Sequence, residues 1–137
     1  MAIDSVFSSF GVSMSGLTAQ RRKLDAVASN IANVYTTRTP EGGPYKRKDV
    51  TFNESVFDDH LYRGVEAQSF VEEKAESVKV FDPSHPDADK EGYVAYPNVN
   101  TVDEMVSMVA ASRAYEANVN VFNASKAMIT KAFDLLV

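Results

Sequence analysis

The sequence predicts an α+β fold in which two long terminal helices form a coiled-coil stem and a small β-rich lobe lies between them. All five prolines fall between Pro40 and Pro97, so both ends of the 137-residue chain lack the strongest helix breaker. Apolar residues recur at seven-residue intervals in both ends, which is typical of a coiled-coil seam. We therefore expect one structural unit with three parts: an N-terminal axial helix in residues 1–36, a middle lobe in residues 37–99 and a C-terminal axial helix in residues 100–137.

The N-terminal helix is expected to cover about residues 4 to 33, a length of roughly 45 Å. Its seam consists of apolar residues at every seventh position: Ile3, Phe10, Leu17, Leu24 and Ile31. A companion series, broken by one arginine, follows four residues later: Phe7, Met14, Arg21 and Ala28. Three valines widen the face: Val6, Val27 and Val34. Glycines and serines interrupt the helix, and each glycine costs about 1 kcal/mol relative to alanine. This helix should therefore become ordered only when partners cover its seam.

The C-terminal helix is expected to start at Thr101 and to reach roughly 55 Å if it continues to the end of the chain. Thr101 and Glu104 have the spacing of a capping box. The seam repeats every seven residues: Met108, Tyr115, Phe122, Ile129 and Leu136. A second series falls between them: Met105, Ser112, Val119, Lys126 and Phe133. Asparagines in the two helices either fix coiled-coil register or face solvent, and both interpretations stay open: Asn30, Asn33, Asn118, Asn120 and Asn123.

The middle of the chain predicts short strands and turns. Residues 41–44, Glu-Gly-Gly-Pro, are typical of a turn. Residues 65–72 and 77–81 are candidate strands, and residues 92–96 would pair with the second of them across a loop rich in aspartate and proline. Residues 53–62 are ambiguous, and Val56, Phe57 and Leu61 would suit a helical turn.

Composition and charge narrow the function classes. The chain has no cysteine, no apolar run near the roughly 18–20 residues that cross a bilayer, and no secretory signal pattern at its start, so we expect no membrane insertion and no export by the general pathway. Residues 1–48 carry seven Lys/Arg against three Asp/Glu, whereas residues 49–99 carry four against twelve. This asymmetry favours charge complementarity between copies of the chain over nucleic-acid binding, because few aromatics accompany the basic clusters.

The loop at residues 82–92 resembles a calcium-binding loop only in part. Asp87, Asp89 and Glu91 fit the first three ligand positions, but the position of the bidentate glutamate is occupied by Asn98. His60 and His85 have no partners at metal-ligand spacing. No phosphate-binding glycine loop or nucleophile elbow occurs. We predict that the chain is not an enzyme and has no catalytic residue, no metal site and no cofactor.

Four stretches of sequence resemble a known family. Residues 24–36 end in Asn30-Ile31-Ala32-Asn33 followed by Thr36, which resembles the axial proteins of the bacterial flagellum (rod, hook and hook-associated proteins). In this chain Ser29 and Tyr35 stand where that family usually has asparagine. The blocks at residues 82–106, 111–118 and 121–126 are similar to the proximal-rod proteins within that family.

This resemblance implies a structural subunit of the flagellar basal-body proximal rod. Such proteins pass unfolded through the flagellar type III export apparatus, polymerise in the periplasm through their terminal helices and transmit torque. The implied partners are further copies of the chain, other flagellar rod proteins, the membrane-ring base and the rod-adapter protein. The candidate assembly-interface residues are the seam residues Ile3, Phe10, Leu17, Leu24, Ile31, Met108, Tyr115, Phe122 and Ile129 and the polar residues Asn30, Asn33, Arg113, Glu116 and Asn118.

Two other functions fit parts of the sequence. A soluble helical coiled-coil adaptor would bind one partner helix without polymerising, and it would reach a fixed stoichiometry as its concentration rises. A calcium-binding module would release or absorb heat when titrated with millimolar calcium in a calorimeter.

A substitution in the seam tests the assembly hypothesis. We predict that Leu24→Asp abolishes motility and rod assembly, because a carboxylate cannot be buried in an apolar helix contact without a partner. Secretion of the variant should stay measurable. Wild-type swimming by the variant would contradict a role for the seam.

Overall fold

The computed structural model describes residues 2–57, 62–71 and 76–134, and the side chains of this set other than those of residues 2–7, 57, 62, 70 and 71. The elements follow in the order α1 (Ala2–Ala32), β1 (Lys48–Phe57), β2 (Tyr62–Val71), β3 (Val78–Phe81), β4 (Tyr93–Tyr96) and α2 (Thr101–Asp134). Two terminal helices therefore flank a middle of short antiparallel strands, which confirms the predicted α+β fold.

The two helices lie antiparallel against each other. α1 has 31 residues and α2 has 34, which correspond to lengths of about 46 Å and 51 Å. Asn30 hydrogen-bonds Glu104 at one end of the pair. At the other end, the rings of Phe10 and Phe122 meet edge to face with centroids 4.9 Å apart. Residue numbers thus rise along one helix as they fall along the other.

The first series of the predicted seam lies mostly at partly buried positions of the two helices. Most of these residues are half-buried: Phe10, Leu17, Leu24, Ile31, Met108, Phe122 and Ile129. Tyr115 is slightly more exposed than the rest. The side chain of Ile3 and the whole of Leu136 lie outside the described residues.

For most members of the predicted second series, in both helices, the residue that is buried lies one position before the predicted one. The expected Met14, Arg21, Ala28, Met105, Lys126 and Phe133 are exposed, although Ser112 and Val119 are half-buried. The residues one position earlier are the more buried ones, among them Ser13, Val27, Glu104 and Ala111. Several of these residues are small or polar, so a search for apolar periodicity does not find them.

A small residue lets the helices approach each other near their midpoint. A Cβ atom added to Gly16 would lie 3.0 Å from the Nδ2 atom of Asn118. That separation is shorter than an ordinary van der Waals contact, so a larger side chain at Gly16 would have to displace the side chain of Asn118.

The start of α2 differs from the prediction. The side chain of Asn100 caps the helix, since its Oδ1 atom accepts a hydrogen bond from the Val102 N–H at 3.0 Å. The predicted Thr101–Glu104 capping box is therefore wrong, and Glu104 makes other contacts.

β1 and β2 form an antiparallel hairpin that packs on α1. The register runs from Lys48 opposite Val71 to Phe57 opposite Tyr62. The core beneath it consists of four buried residues: Ala19, Ala26, Val50 and Ala67. Residues 53–57 belong to β1, which resolves the ambiguous stretch at residues 53–62 in favour of a strand there, and residues 58–61 lie outside the described part of the chain.

The predicted pairing of the other two strands is confirmed. β3 and β4 are antiparallel, from Val78 opposite Tyr96 to Phe81 opposite Tyr93. The loop between them closes at Gly92, which has a φ of +84° and whose added Cβ would lie 2.9 Å from the Phe81 ring. Glycine is required there for both reasons.

We predict that Gly16→Leu lowers the stability of the helix pair, although leucine is the better helix former. Overpacking of this kind costs about 1–3 kcal/mol, which corresponds to a melting temperature lower by roughly 3–12 °C. Thermal unfolding followed by circular dichroism measures the effect. The matched control is Thr18→Leu at an exposed position. Equal melting temperatures for the two variants would contradict close helix packing at Gly16.

Candidate assembly interface

Asn30 lies near the end of α1 and is completely buried, with 0% of its surface exposed. Its Nδ2 atom donates to the Lys48 carbonyl at 2.7 Å and to the Oε2 atom of Glu104 at 3.1 Å. Its Oδ1 atom accepts from the Lys48 N–H at 2.8 Å and from the Tyr45 hydroxyl at 3.0 Å. Both amide protons and both carbonyl lone pairs are therefore used within one chain. Asn30 joins α1, the start of β1 and α2.

Glu104 is the acidic member of this group, and only 1% of its surface is exposed. Its Oε1 atom accepts a hydrogen bond from the Nε atom of Arg47 at 2.8 Å. Arg47 also pairs with Asp49 at 3.3 Å, and Asp49 pairs with Lys23 of α1 at 2.6 Å. The charges thus alternate along a chain of four side chains. We call Asn30, Tyr45, Arg47 and Glu104 the polar joint.

The charge pairing lowers the pKa of the Asp49 carboxyl. Partial burial acts to raise the pKa of this carboxyl, but hydrogen bonds from the Lys23 ammonium and the Val50 N–H, together with the charge of Lys23, outweigh it. The pKa of Asp49 therefore lies below its ordinary value. Among the described residues, no buried side-chain nitrogen or oxygen lacks a hydrogen-bond partner.

Asn33 shapes the exit from α1. Its Nδ2 atom donates to the Ser29 carbonyl at 2.8 Å, and its Oδ1 atom accepts from the Thr36 hydroxyl at 3.1 Å. The Ser29 hydroxyl in turn lies 2.9 Å from that of Tyr45. Both asparagines of the Asn-Ile-Ala-Asn stretch thus bond within their own chain, and for Asn30 no hydrogen-bonding capacity is left for a neighbour.

The loop at residues 82–92 uses its carboxylates as internal acceptors. Hydrogen bonds from the Ser84 hydroxyl and N–H hold the pKa of Asp82 below its ordinary value. Those from the N–H groups of Tyr93 and Glu91 lower the pKa of Asp89. Within the described ranges, no three His, Cys, Asp or Glu residues are grouped so that they could hold a metal ion.

The outward side of α2 carries an apolar stripe. Val102, Met105, Val106 and Val109 follow the i, i+3, i+4, i+7 spacing of one helix face, and each is 53–67% exposed. Glu104 and Ala111 are buried on the opposite side. We call these four residues the α2 outer stripe. α2 is therefore apolar on two sides, and α1 covers one of them.

The other polar candidates from the sequence fall into two groups. Arg113 and Glu116 form an exposed ion pair at 3.1 Å on the face that continues the α2 outer stripe. Asn118 faces Gly16 within the helix pair. None of these contacts involves a second copy, so a role for these residues between subunits stays a prediction. Sequence reasoning missed Tyr45 and Arg47. The cluster of basic residues at 46–48 is a weak signal for Arg47, and no sequence pattern indicates Tyr45.

The two long helices are held together at one end by the buried polar joint, and α2 has a second apolar face. These features are typical of a structural protein that associates through its helices. Neither helix, within the described residues, is long and apolar enough to cross a membrane. Two family models agree with this class: "Flagella basal body rod protein" matches residues 10–38, and "Flagellar basal body rod FlgEFG protein C-terminal" matches residues 90–135.

Individual relatives give the particular family. The chain is 45% identical to flagellar basal-body rod protein FlgC of Borreliella burgdorferi, over 96% of this chain and 97% of that protein. It is 40% identical to FlgC of Bacillus subtilis over 96% and 98% of the two chains, and 40% identical to FlgC of Salmonella typhimurium over 92% and 94%. The chain belongs to the FlgC family of flagellar basal-body rod proteins.

We predict that Glu104→Ala destabilises the fold by about 3 kcal/mol, because it leaves Arg47 without its buried partner and one Asn30 proton without an acceptor. Chemical unfolding of the purified chain measures the loss. The control is Glu116→Ala, which removes an exposed ion pair and should cost less than about 1 kcal/mol. Equal losses in the two variants would show that the polar joint does not hold the fold.

Proposed function

We propose that this chain is a structural subunit of the flagellar basal-body rod, which polymerises through its terminal helices, transmits torque and catalyses nothing. The observation that carries this proposal is the two-sided hydrophobicity of α2. A helix that exposes four large apolar residues on the side away from its own core has a surface suited to another chain.

The energetics favour repeated contacts. Burying a valine or methionine side chain completely contributes about 1.5–3 kcal/mol relative to leaving it exposed. The α2 outer stripe can therefore contribute several kcal/mol when a neighbour covers it. In a helical polymer each contact is heterologous and occurs once per subunit, so one such surface stabilises the whole array.

The polar joint suits a part that transmits torque. Its hydrogen bonds connect α1, β1 and α2 through groups that cannot slide without leaving a buried charge unpaired. The subunit would then move as a rigid piece at this end of the helix pair.

The same helices suit export and assembly. α1 contains Gly11, Gly16 and several serines, so it has little intrinsic helix stability and depends on tertiary contacts. Such a chain can pass unfolded through the type III export apparatus and fold once α1 packs against its own α2 and the β1–β2 hairpin, before it joins other rod proteins, the membrane-ring base and the rod-adapter protein. Residues 1–36 and 100–137 would be the axial helices, and residues 37–99 the lobe between them.

The acidic loop supports a structural role rather than a catalytic one. Asp82 and Asp89 hold the turns of the loop, and the Nδ1 atom of His85 accepts a hydrogen bond from the Asp87 N–H at 3.1 Å. Asp87 binds the hydroxyl of Thr37 at 2.8 Å and so ties the loop to the segment after α1.

Mass spectrometry of purified, detergent-stripped hook–basal bodies tests the proposal. The wild-type chain should be present in several fixed copies per particle. Val106→Asp in the α2 outer stripe should be secreted but nearly absent from the particles, because it would place a carboxylate in an apolar contact. The matched control is Val121→Asp, which changes a similarly exposed valine off the stripe and should be incorporated.

Absence of the wild-type chain from intact particles, with abundant chain in the cytosol, would contradict the rod function and favour a non-polymerising adaptor. Normal incorporation of Val106→Asp would contradict the role given to the stripe.

A further inference from the structure

The strands form two separate two-stranded sheets, β1–β2 and β3–β4, so each strand has one edge that faces away from its partner strand. Backbone N–H and C=O groups along such an edge can hydrogen-bond a strand of another chain unless something blocks them. The hydrogen bonds of the described residues show which of the four edges are blocked.

The outer edge of β2 is blocked by side chains of α1. The Val65 N–H donates to the Ser15 hydroxyl at 3.1 Å, and Arg22 donates to the Ala67 carbonyl. An additional strand would find these backbone groups already bonded. β2 is therefore closed to pairing with another chain.

The outer edge of β1 is blocked only at its start. Asn30 binds both the N–H and the carbonyl of Lys48, and the Val50 N–H donates to a neighbouring carboxylate at 2.7 Å. Alternate residues of a strand share an edge, so the backbone groups of Phe52 and Glu54 point the same way. Within the described part of the chain, no hydrogen bond outside the β1–β2 pair occupies these groups. β1 is therefore open from Phe52 onwards.

In the other sheet β4 is the blocked strand and β3 is the open one. The Tyr93 N–H donates to Oδ1 of Asp89 at 2.8 Å, and the Tyr93 carbonyl accepts from the Asp89 N–H at 2.8 Å. Phe81 lies opposite Tyr93, so the backbone groups of Phe81 and Lys79 also face away from the partner strand. All four residues of β3 are exposed, and among the described residues none hydrogen-bonds this edge.

The side chains along the two open edges are complementary in one antiparallel alignment. This alignment places Glu54 directly opposite Lys79. It also places Phe52, which is 43% exposed, directly opposite Phe81, which is 62% exposed. Opposite charges and aromatic pairs are both favourable at directly opposite positions, and a shift by two residues in either direction would separate both pairs. The Oε1 atom of Glu54 binds Arg63 at 3.0 Å, which leaves its other carboxylate oxygen for a lysine.

We propose that β1 of one copy pairs antiparallel with β3 of a second copy, in the register that places Glu54 opposite Lys79. The strand must come from a second copy because β1 and β3 of one chain do not touch within the described ranges. Strand addition of this kind obtains its affinity from backbone hydrogen bonds and its specificity from side-chain pairs. The pairing rests on the proposed rod function. Each chain has one open edge of each kind, so the contact can repeat along an open array.

Disulfide formation between single cysteines tests the pairing, because the chain has no cysteine of its own. In the proposed register Asn53 stands opposite Val80 of the second copy, with about 4.5 Å between their Cα atoms. Chains carrying Asn53→Cys and chains carrying Val80→Cys are co-produced, and purified basal bodies are mildly oxidised. A dimer whose linked peptides contain residues 53 and 80 is expected. The control pairs Val80→Cys with Ser55→Cys, two residues out of register, and should give little dimer.

The outcomes separate the strand pairing from the rod function. Absence of the wild-type chain from basal bodies overturns the rod function. Incorporation of both cysteine variants without a 53–80 disulfide, or with an equally frequent 55–80 disulfide, overturns only the pairing.

A charge exchange covers the case in which a cysteine variant is not incorporated. Lys79→Glu places two carboxylates opposite each other and should reduce the number of copies per basal body about threefold. Adding Glu54→Lys to the same chain restores opposite charges and should restore the copy number. The control is Lys90→Glu, which changes an exposed lysine outside both strands and should leave the copy number unchanged. Failure of Glu54→Lys to restore the copy number overturns the pairing.

Discussion

The fold depends on a charged carboxylate, Glu104, buried where α1 and α2 meet the segment that leads into β1. Removing a carboxylate from water costs several kcal/mol unless a counter-charge and hydrogen bonds replace its hydration. Arg47 and Asn30 supply both here, at 2.8 Å and 3.1 Å. Any movement of α2 relative to α1 or β1 at this end would break one of these bonds. The polar joint therefore fixes the register of the helix pair, which an apolar contact of similar size would leave free to slide.

The helix pair is held less firmly away from the joint. Along α2, Glu104 and Ala111 are the buried residues among those described, and both belong to its first third. Towards the other end the partners are half-buried, as in the edge-to-face contact of Phe10 with Phe122. The α2 outer stripe begins at Val102, so it lies on the firmly held part of the helix. A rigid apolar surface loses little conformational entropy when it binds, which favours a stable contact between subunits.

Periodicity was sufficient to predict the two helices and the β3–β4 pairing, because both depend on regularly spaced apolar residues. It was insufficient for the polar joint. Thr101 and Glu104 match a capping box, but Asn100 precedes them and takes the cap, which leaves Glu104 free to pair with Arg47. β1 was missed because Glu54 interrupts its apolar face between Phe52 and Val56. The hydrogen-bond partners of Asn30 are separated from it by 15 to 74 residues along the chain. A local sequence pattern cannot predict contacts over such separations.

Amide hydrogen exchange of the purified chain tests the central role of the polar joint most directly. If the joint holds the subunit together, the slowest exchange should occur in residues 24–32 of α1 and 104–111 of α2. Protection should then decrease steadily towards Phe10 and Phe122. The opposite result is protection that is greatest near the two phenylalanines or equal along both helices. It would show that the apolar seam organises the fold and that the buried Asn30–Glu104–Arg47 group does not.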